Sequence, residues 1–146
     1  MKQILFFFIF CFCSLKFSAQ DLYNFELNNL HYVVKKGVKN TTKHSNVTIK
    51  ILLENGEEKI IYRRPIRSRG DKEEGWRHPS FSVFSRPISI QVSGFVNFRT
   101  GTDARFNETL VIKPCGDQHF DIDSHSPRMS SVRFSIKSIP PSHTFF

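Results

Sequence analysis

Apolar and polar residues alternate along much of this chain, and the clearest case runs from Val47 to Arg64. One face of its first half is apolar and consists of Val47, Ile49, Ile51 and Leu53. This period of two predicts a half-buried β-strand. Asn55-Gly56 follows, and this dipeptide between two strand-like runs predicts a hairpin with a type I′ turn. A two-residue turn would pair Ile51 with Ile60 and Ile49 with Tyr62 on the buried face.

Further runs of the same kind predict the remaining strands, at residues 30–36, 81–85, 88–98, 109–113, 119–123 and 131–138. In the third of these runs, Ile88, Ile90 and Val92 share one face, and Gly94 predicts a bulge or bend. Residues 21–29 and 100–107 are richer in polar and turn-forming residues, so we expect a lead-in and a loop there.

Seven or eight short strands without a helical pattern predict an all-β protein. The expected fold is an antiparallel β-sandwich of immunoglobulin-like or jelly-roll-like architecture, and a small β-barrel is the alternative. The immunoglobulin spacing of Cys, Trp and Cys is absent, so either label would describe architecture only.

Residues 1–20 predict a signal peptide. Lys2 precedes a nearly unbroken apolar run at residues 4–13, and small residues then permit cleavage after Ala19 or Gln20. The run is too short to span a bilayer, and no transmembrane span is expected in the mature chain; a retained anchor is the alternative. We therefore predict a secreted or periplasmic protein of the cell envelope. Its single domain covers residues 21–140, and residues 141–146 form a frayed tail.

Cysteine usage fits a domain that is stabilised by packing. Cys11 and Cys13 leave with the predicted signal peptide, so Cys115 is the single thiol of the mature chain. One thiol cannot close an internal disulfide, although the compartment would permit one. We expect Cys115 to be buried, because free cysteine is among the most buried residue types.

The charge of the chain is basic and uneven, with a net charge of +8 at pH 7. Residues 21–100 carry fourteen Lys and Arg against eight Asp and Glu, whereas residues 101–146 carry five of each. An exported basic protein meets polyanions, so the expected partner is an anionic glycan, a lipid head group at a membrane surface, or a protein. Nucleic acid is not an expected partner. A basic surface that only maintains solubility is the alternative.

The longest stretch without a strand pattern is residues 66–79, which is dense in charge and contains the only Trp. Arg binds phosphate, sulfate or carboxylate in a bidentate manner, and Trp can stack on a sugar or a cation. The candidate ligand-binding residues are Arg63, Arg67, Arg69, Lys72, Trp76 and Arg77. A solvated loop whose Trp caps the core is the alternative. Arg69-Gly70-Asp71 also resembles the integrin-recognition tripeptide, for which a simple turn is the alternative.

A candidate metal site consists of His119, Asp121 and Asp123, which would project from one face of a strand. Imidazole and carboxylate ligands could suit zinc or manganese, although no standard metal-binding spacing is present. The same alternation is expected of any solvated strand face.

Three functional hypotheses follow from these patterns. The first is a non-catalytic, exported binding module that recognises an anionic ligand or a protein through its basic loop. The second is a structural or assembly component of a cell-envelope complex that docks through an exposed sheet edge. The third is a metal-dependent hydrolase. The sequence contains no catalytic or nucleotide-binding motif, and no cofactor is expected.

Overall fold

The computed structural model describes residues 21–68 and 79–139 of the chain. The predicted signal peptide, the C-terminal tail and residues 69–78 of the charged loop lie outside the described residues. The described residues form eight strands: β1 Tyr23–Val34, β2 Thr42–Leu53, β3 Glu58–Arg64, β4 Ser80–Val83, β5 Pro87–Phe98, β6 Ala104–Val111, β7 Gln118–Asp123 and β8 Met129–Ile139. No helix capable of crossing a membrane occurs in the two described ranges.

The strands form two four-stranded antiparallel sheets that pack against each other, which confirms the predicted β-sandwich. Sheet A has the order β4-β1-β8-β7, and sheet B has the order β3-β2-β5-β6. The connections β2–β3, β5–β6 and β7–β8 stay within one sheet, whereas the others cross between the sheets. The first and last strands, β1 and β8, are neighbours in the middle of sheet A.

The core lies between the sheets because every second side chain of each strand points inward. The inward residues of β2 are all buried, as their alternation predicts. Two aromatic pairs join neighbouring strands of sheet A. The rings of Phe25 and Phe81 are stacked with centroids 5.3 Å apart, and those of Phe120 and Phe134 with centroids 4.8 Å apart. Such pairs add to the hydrophobic stabilisation that burial alone provides.

The β2–β3 hairpin has a loop one residue longer than the sequence predicts. The N–H of Gly56 donates to the carbonyl of Leu53, and the N–H of Leu53 donates to the carbonyl of Glu57, each at 2.9 Å. Gly56 has a φ of 84°, whereas Asn55 has no positive φ. These features indicate a type I turn followed by a glycine bulge, so the predicted type I′ turn is wrong. The longer loop pairs Ile51 with Lys59 instead of Ile60.

A β-bulge further along the hairpin restores the predicted register. Its unpaired residue is Ile61 of β3, opposite Ile49 and Lys50 of β2, and beyond it Ile49 pairs with Tyr62, as predicted. Between the turn and this bulge, β3 is shifted by one residue relative to the predicted register. Ile60 therefore pairs with Lys50, faces outward and is 44% exposed. The apolar face of β3 is therefore shorter than its sequence suggests.

Two segments predicted to be irregular belong to strands. β1 begins at Tyr23, and its residues Phe25 and Leu27 are buried. β6 begins at Ala104, and both Ala104 and Phe106 are buried. The outward positions of both segments carry polar residues of low β-propensity, which conceals the alternation.

β5 differs from its prediction at two positions. Gly94 pairs with Val47 and Phe106 in unbroken register, so the predicted bulge is absent there. The register shift lies instead near the start of β5, where Pro87 is buried and Ile88 is 41% exposed. Ile88 therefore does not share the buried face of Ile90.

Cys115 is exposed, which corrects the expectation that it is buried. It lies in the connection between β6 and β7, directly before Gly116, whose φ is 84°. Connections of this kind run over the protein surface, and the position of Cys115 in the turn therefore overrides the general preference of free cysteine for burial.

Candidate functional site

The topology gathers a set of cations at one end of the sandwich. Because neighbouring strands are antiparallel, this end holds the described connections 35–41, 65–68, 99–103 and 124–128. They contain six Lys or Arg and one acidic residue, Asp103. The cations are Lys35, Lys36, Lys39, Arg67, Arg99 and Arg128. This set of connections is called the basic end.

The opposite end has no such excess of positive charge. It holds the connections 54–57, 84–86 and 112–117, in which two cations stand against three carboxylates. The cations are Arg86 and Lys113, and the carboxylates are those of Glu54, Glu57 and Asp117. Among the described connections, the excess of positive charge is therefore concentrated at one end of the sandwich.

None of the six cations of the basic end forms a salt bridge within the part of the chain that the structure describes, although the charge of Lys35 acts on the Asp123 carboxylate at the end of β7. The three ion pairs found there are Lys50–Glu58, His125–Asp123 and Arg133–Asp121, none of which includes these six residues. The Oδ1 atom of Asp103 accepts a hydrogen bond of 3.2 Å from the N–H of Phe98. The field of the basic end is therefore available to an external anion.

A cleft of about 500 Å³ opens at the basic end between the start of β2 and the segment that follows β3. Hydroxyl, amide and cationic groups line much of it, including those of Tyr32, Asn40, Thr42, Lys43, Ser45 and Arg67. Such a lining suits a ligand that carries hydroxyl groups or negative charge, because the hydroxyl, amide and cationic side chains can form hydrogen bonds or ion pairs with these groups of the ligand.

A chain of hydrogen bonds fixes one wall of the cleft. The Tyr32 hydroxyl lies 2.6 Å from Thr42 Oγ1, and Thr42 Oγ1 donates to Asn40 Oδ1 at 2.7 Å. Since Thr42 uses its single proton on Asn40, the Tyr32 hydroxyl is the donor to Thr42. Asn40 Nδ2 then donates to Ser68 Oγ at 2.8 Å. The connection after β1 is thereby tied to the segment after β3.

Hydrogen bonds to the backbone of Ile66 and Arg67 position Arg67 at the cleft. Ser45 Oγ donates to the carbonyl of Ile66 at 2.6 Å and accepts from the N–H of Ile66 at 3.0 Å. The N–H of Tyr32 donates to the carbonyl of Arg67 at 3.0 Å. Ile66 is buried while Arg67 is exposed, so the segment anchors itself through one side chain and presents the next.

Tyr62 holds the start of the same segment. Its hydroxyl donates to the carbonyl of Pro65 at 2.9 Å. Burial raises the pKa of Tyr62 to about 12, while the charge of Arg64 opposes this rise. The hydroxyl therefore remains protonated, and a donor, throughout the neutral range.

The structure separates the two predicted ligand-binding residues that it describes. Arg67 lines the cleft. Arg63 lies in β3, where it pairs with Thr48 of β2 and faces away from the core on the outer surface of sheet B. Arg69, Lys72, Trp76 and Arg77 lie outside the described residues, as does the Arg69-Gly70-Asp71 tripeptide. Their part in binding stays a prediction.

The three candidate metal ligands share the exposed face of β7, but two of them already have partners. Asp121 Oδ2 accepts a hydrogen bond of 2.9 Å from Arg133 Nε. The Asp123 carboxylate accepts one of 2.8 Å from the N–H of His125, and this bond is the main reason why the pKa of Asp123 is lowered. In residues 21–68 and 79–139, no three metal-ligating side chains are placed to hold an ion.

Sequence reasoning missed most of the basic end. Lys35, Lys36, Lys39, Arg99 and Arg128 come from three connections that are far apart in sequence. Assigning successive connections to alternate ends of the predicted strands would have brought them together. The predicted strands already alternate in this way, but their bounds place Lys35 and Lys36 inside a strand instead of in the connection that follows β1.

Comparison with known proteins gives no family for this chain. No protein-family model matches it, and no curated protein matches it significantly.

Proposed function

We propose that this protein is an exported, non-catalytic binding module that recognises an anionic glycan or lipid head group through its basic end. The observation that carries this proposal is the unequal distribution of charge between the two ends of the sandwich. A uniform basic surface would suffice for solubility, whereas a charge concentrated at one end provides a directed field.

The cleft supports the same function with groups that can orient a ligand. Arg67 supplies a planar cation with several donors, and the neighbouring Lys43 supplies a compact one. Hydroxyl and amide groups beside them can pair with the oxygen atoms of a sugar or a head group. Long-range attraction would bring the anion to the basic end, and the cleft would fix its position.

Export is supported by the amino-terminal sequence pattern. A lysine, an apolar run and small residues occur in the order that signal peptides require. An exported protein meets anionic glycans and head groups outside the cytoplasm, so the proposed location and ligand agree with each other.

Two double variants of equal net charge test the proposal. Arg67→Ala with Arg99→Ala removes two cations from the basic end, and Arg86→Ala with Lys113→Ala removes two from the opposite end. The probe is a set of vesicles containing phosphatidylserine, with immobilised heparin as the glycan arm. Because a cation near an anionic surface contributes about 1 kcal/mol, we expect the first variant to lose roughly 30-fold in vesicle affinity.

The control variant should bind nearly as well as the unmodified protein. Equal losses in both variants would mean that net charge alone drives binding, and the proposal would then be wrong. Binding to either probe should weaken as salt is added, because the Debye length falls.

A second candidate function, that of an assembly component, rests on exposed apolar side chains at two edge strands. Ile60 in β3 is 44% exposed, and Phe84, directly after β4, is 65% exposed. Both strands are the outermost of their sheets and could accept a partner. Size measurement over a range of concentrations tests this hypothesis. A strict monomer without co-purifying protein would contradict it.

A further inference from the structure

The outer face of sheet B carries an ordered polar array that the core does not require. One transverse row contains a residue from each of the four strands. In spatial order these residues are Arg63, Thr48, Ser93 and Asn107, and each is the register partner of the next. Their sequence neighbours Ile49 and Val92 are completely buried, so the row faces away from the core.

The neighbouring row, nearer the basic end, provides an aromatic ring and a second cation. Asn46, Phe95 and Arg105 are register partners in β2, β5 and β6. Phe95 is 37% exposed and is the one exposed large apolar side chain of these two rows. Arg105 is exposed as well. The two rows together are called the sheet-B platform.

The side chains of the sheet-B platform differ in size and exposure. Thr48 and Ser93 are small and half-buried, whereas Phe95 and the arginines at the margins are larger. Four strands at the usual spacing make the row about 14 Å long. A short, extended run of flat rings with polar edges fits such a surface better than a compact molecule does.

Hydrogen bonding inside the sheet-B platform is incomplete. Gln91 Nε2 donates to Asn107 Oδ1 at 3.1 Å, which orients the Asn107 amide. The Oδ1 atom of Asn46 is buried and accepts no hydrogen bond from the described residues. An unpaired buried acceptor costs stability, so folding does not explain this asparagine.

We infer that the sheet-B platform binds an unbranched acidic polysaccharide. The Phe95 ring would stack against the apolar face of a sugar, and Thr48, Ser93 and Asn107 would bond its hydroxyl groups. Arg63 and Arg105 would pair with carboxylate or sulfate groups, and neither of them forms an ion pair in the described ranges.

Other classes of partner fit this surface less well. Phe95 is separated from Ile60, the exposed apolar residue of β3, by the row that contains Arg63 and Thr48, so these two side chains do not form one apolar centre for a protein interface. Two cations are also few for the phosphates of a nucleic acid or for a lipid surface. The mixture of hydroxyls, amides, one ring and two arginines matches the groups that an acidic sugar chain displays.

The deciding experiment compares Phe95→Ala with Phe84→Ala, which removes an exposed ring elsewhere. The probes are polygalacturonate and chondroitin sulfate, with neutral dextran and inorganic polyphosphate as comparisons. Loss of an aromatic anchor should weaken binding of the acidic polysaccharides roughly tenfold, and Phe84→Ala should not. Phe95→Tyr should restore binding because it keeps a ring at this position.

Polyphosphate separates this inference from the function proposed for the basic end, because it carries charge but no sugar. Phe95→Ala should leave polyphosphate binding unchanged, whereas Arg67→Ala with Arg99→Ala should weaken it. If no acidic polysaccharide binds, or if Phe95→Ala binds as well as the unmodified protein, the sheet-B platform is not a glycan site. The basic-end proposal fails separately, if its own variant leaves polyphosphate and vesicle binding intact.

Discussion

A Cβ atom on Gly94 would overlap the carbonyl oxygen of Asn46. It would also lie 2.9 Å from Cζ of Phe106 and 3.0 Å from Cα of Val47. Two of these three neighbours are backbone atoms of β2, which cannot rotate away. Gly94 therefore allows β2 and β5 to approach closely in the middle of sheet B, and this close approach replaces the bulge that the sequence predicts.

Substituting Gly94 should destabilise the protein through steric overlap. We expect Gly94→Ala to lower the free energy of unfolding by about 3 kcal/mol, because a tightly packed site cannot absorb an added methyl group. Gly37→Ala is the matched control, since a Cβ there meets nothing within 4 Å but must adopt a φ of +82°. Its cost should be about 1 kcal/mol, from backbone conformation alone. Urea unfolding of the two variants measures both values; similar costs would contradict the close approach.

The three-residue loop of the β2–β3 hairpin predicts unequal effects at its last two positions. Gly56→Ala should cost about 1 kcal/mol, because alanine is strained at a φ of 84°. Asn55→Ala should cost less, about 0.5 kcal/mol, since it removes only the 3.0 Å bond from the N–H of Glu57 to Asn55 Oδ1. A type I′ turn would make both positions sensitive to conformation. Equal losses in thermal or urea unfolding would therefore favour that turn.

Tyr62 should make the protein less stable at alkaline pH. Its pKa is about 12 in the folded protein against 10.0 for the free side chain, so the folded state retains the proton more strongly. The stability linked to this proton is complete below pH 10.0 and decreases as the pH rises towards 12. Tyr62→Phe cannot ionise, and the stability difference between it and the unmodified protein should shrink over that range. Urea midpoints at several alkaline pH values test this expectation; a constant difference would contradict it.

Asp123 should contribute stability that disappears in acid. The N–H of His125 donates to its carboxylate, and this bond together with the charges of His125 and Lys35 lowers its pKa below 3.8. The folded state therefore favours the ionised form, and the contribution is present above pH 3.8 and lost as the pH falls through the folded pKa. Asp123→Asn should be less stable than the unmodified protein near neutral pH and equally stable in strong acid. A pH-independent difference in unfolding midpoints would contradict this assignment.

The sequence predicts the fold well where inward and outward residues differ strongly. In β8 and in β2 from Val47 onward, apolar residues occupy every second position, and both strands are present there as predicted, although β2 begins at Thr42, within a segment predicted to be a polar loop. It fails where the outward residues are themselves unusual in strands, as at Asn24 and Glu26 in β1. Local pattern also cannot determine loop length at Asn55-Gly56, because the compensating bulge at Ile61 in β3 is invisible in the alternation.

The binding surface was less predictable than the fold. A net basic charge indicates an anionic partner, but the grouping of Lys35 with Arg99 and Arg128 depends on which connections meet in space. The same limit applies to the sheet-B platform. Phe95 and Arg63 come from different strands, and only the register of those strands shows that they lie on one surface.

The pairing of Asn24 with Ile139 in sheet A has a practical consequence for immobilisation. Both chain ends of the described domain emerge beside each other, on the side away from Lys35 and Arg67. A tag, tether or solid support attached at either end would therefore leave the cations pointing outward. Fusion proteins made at the two ends should accordingly retain equal access to a bulky anion, and a permuted chain that joins these ends would need only a short linker.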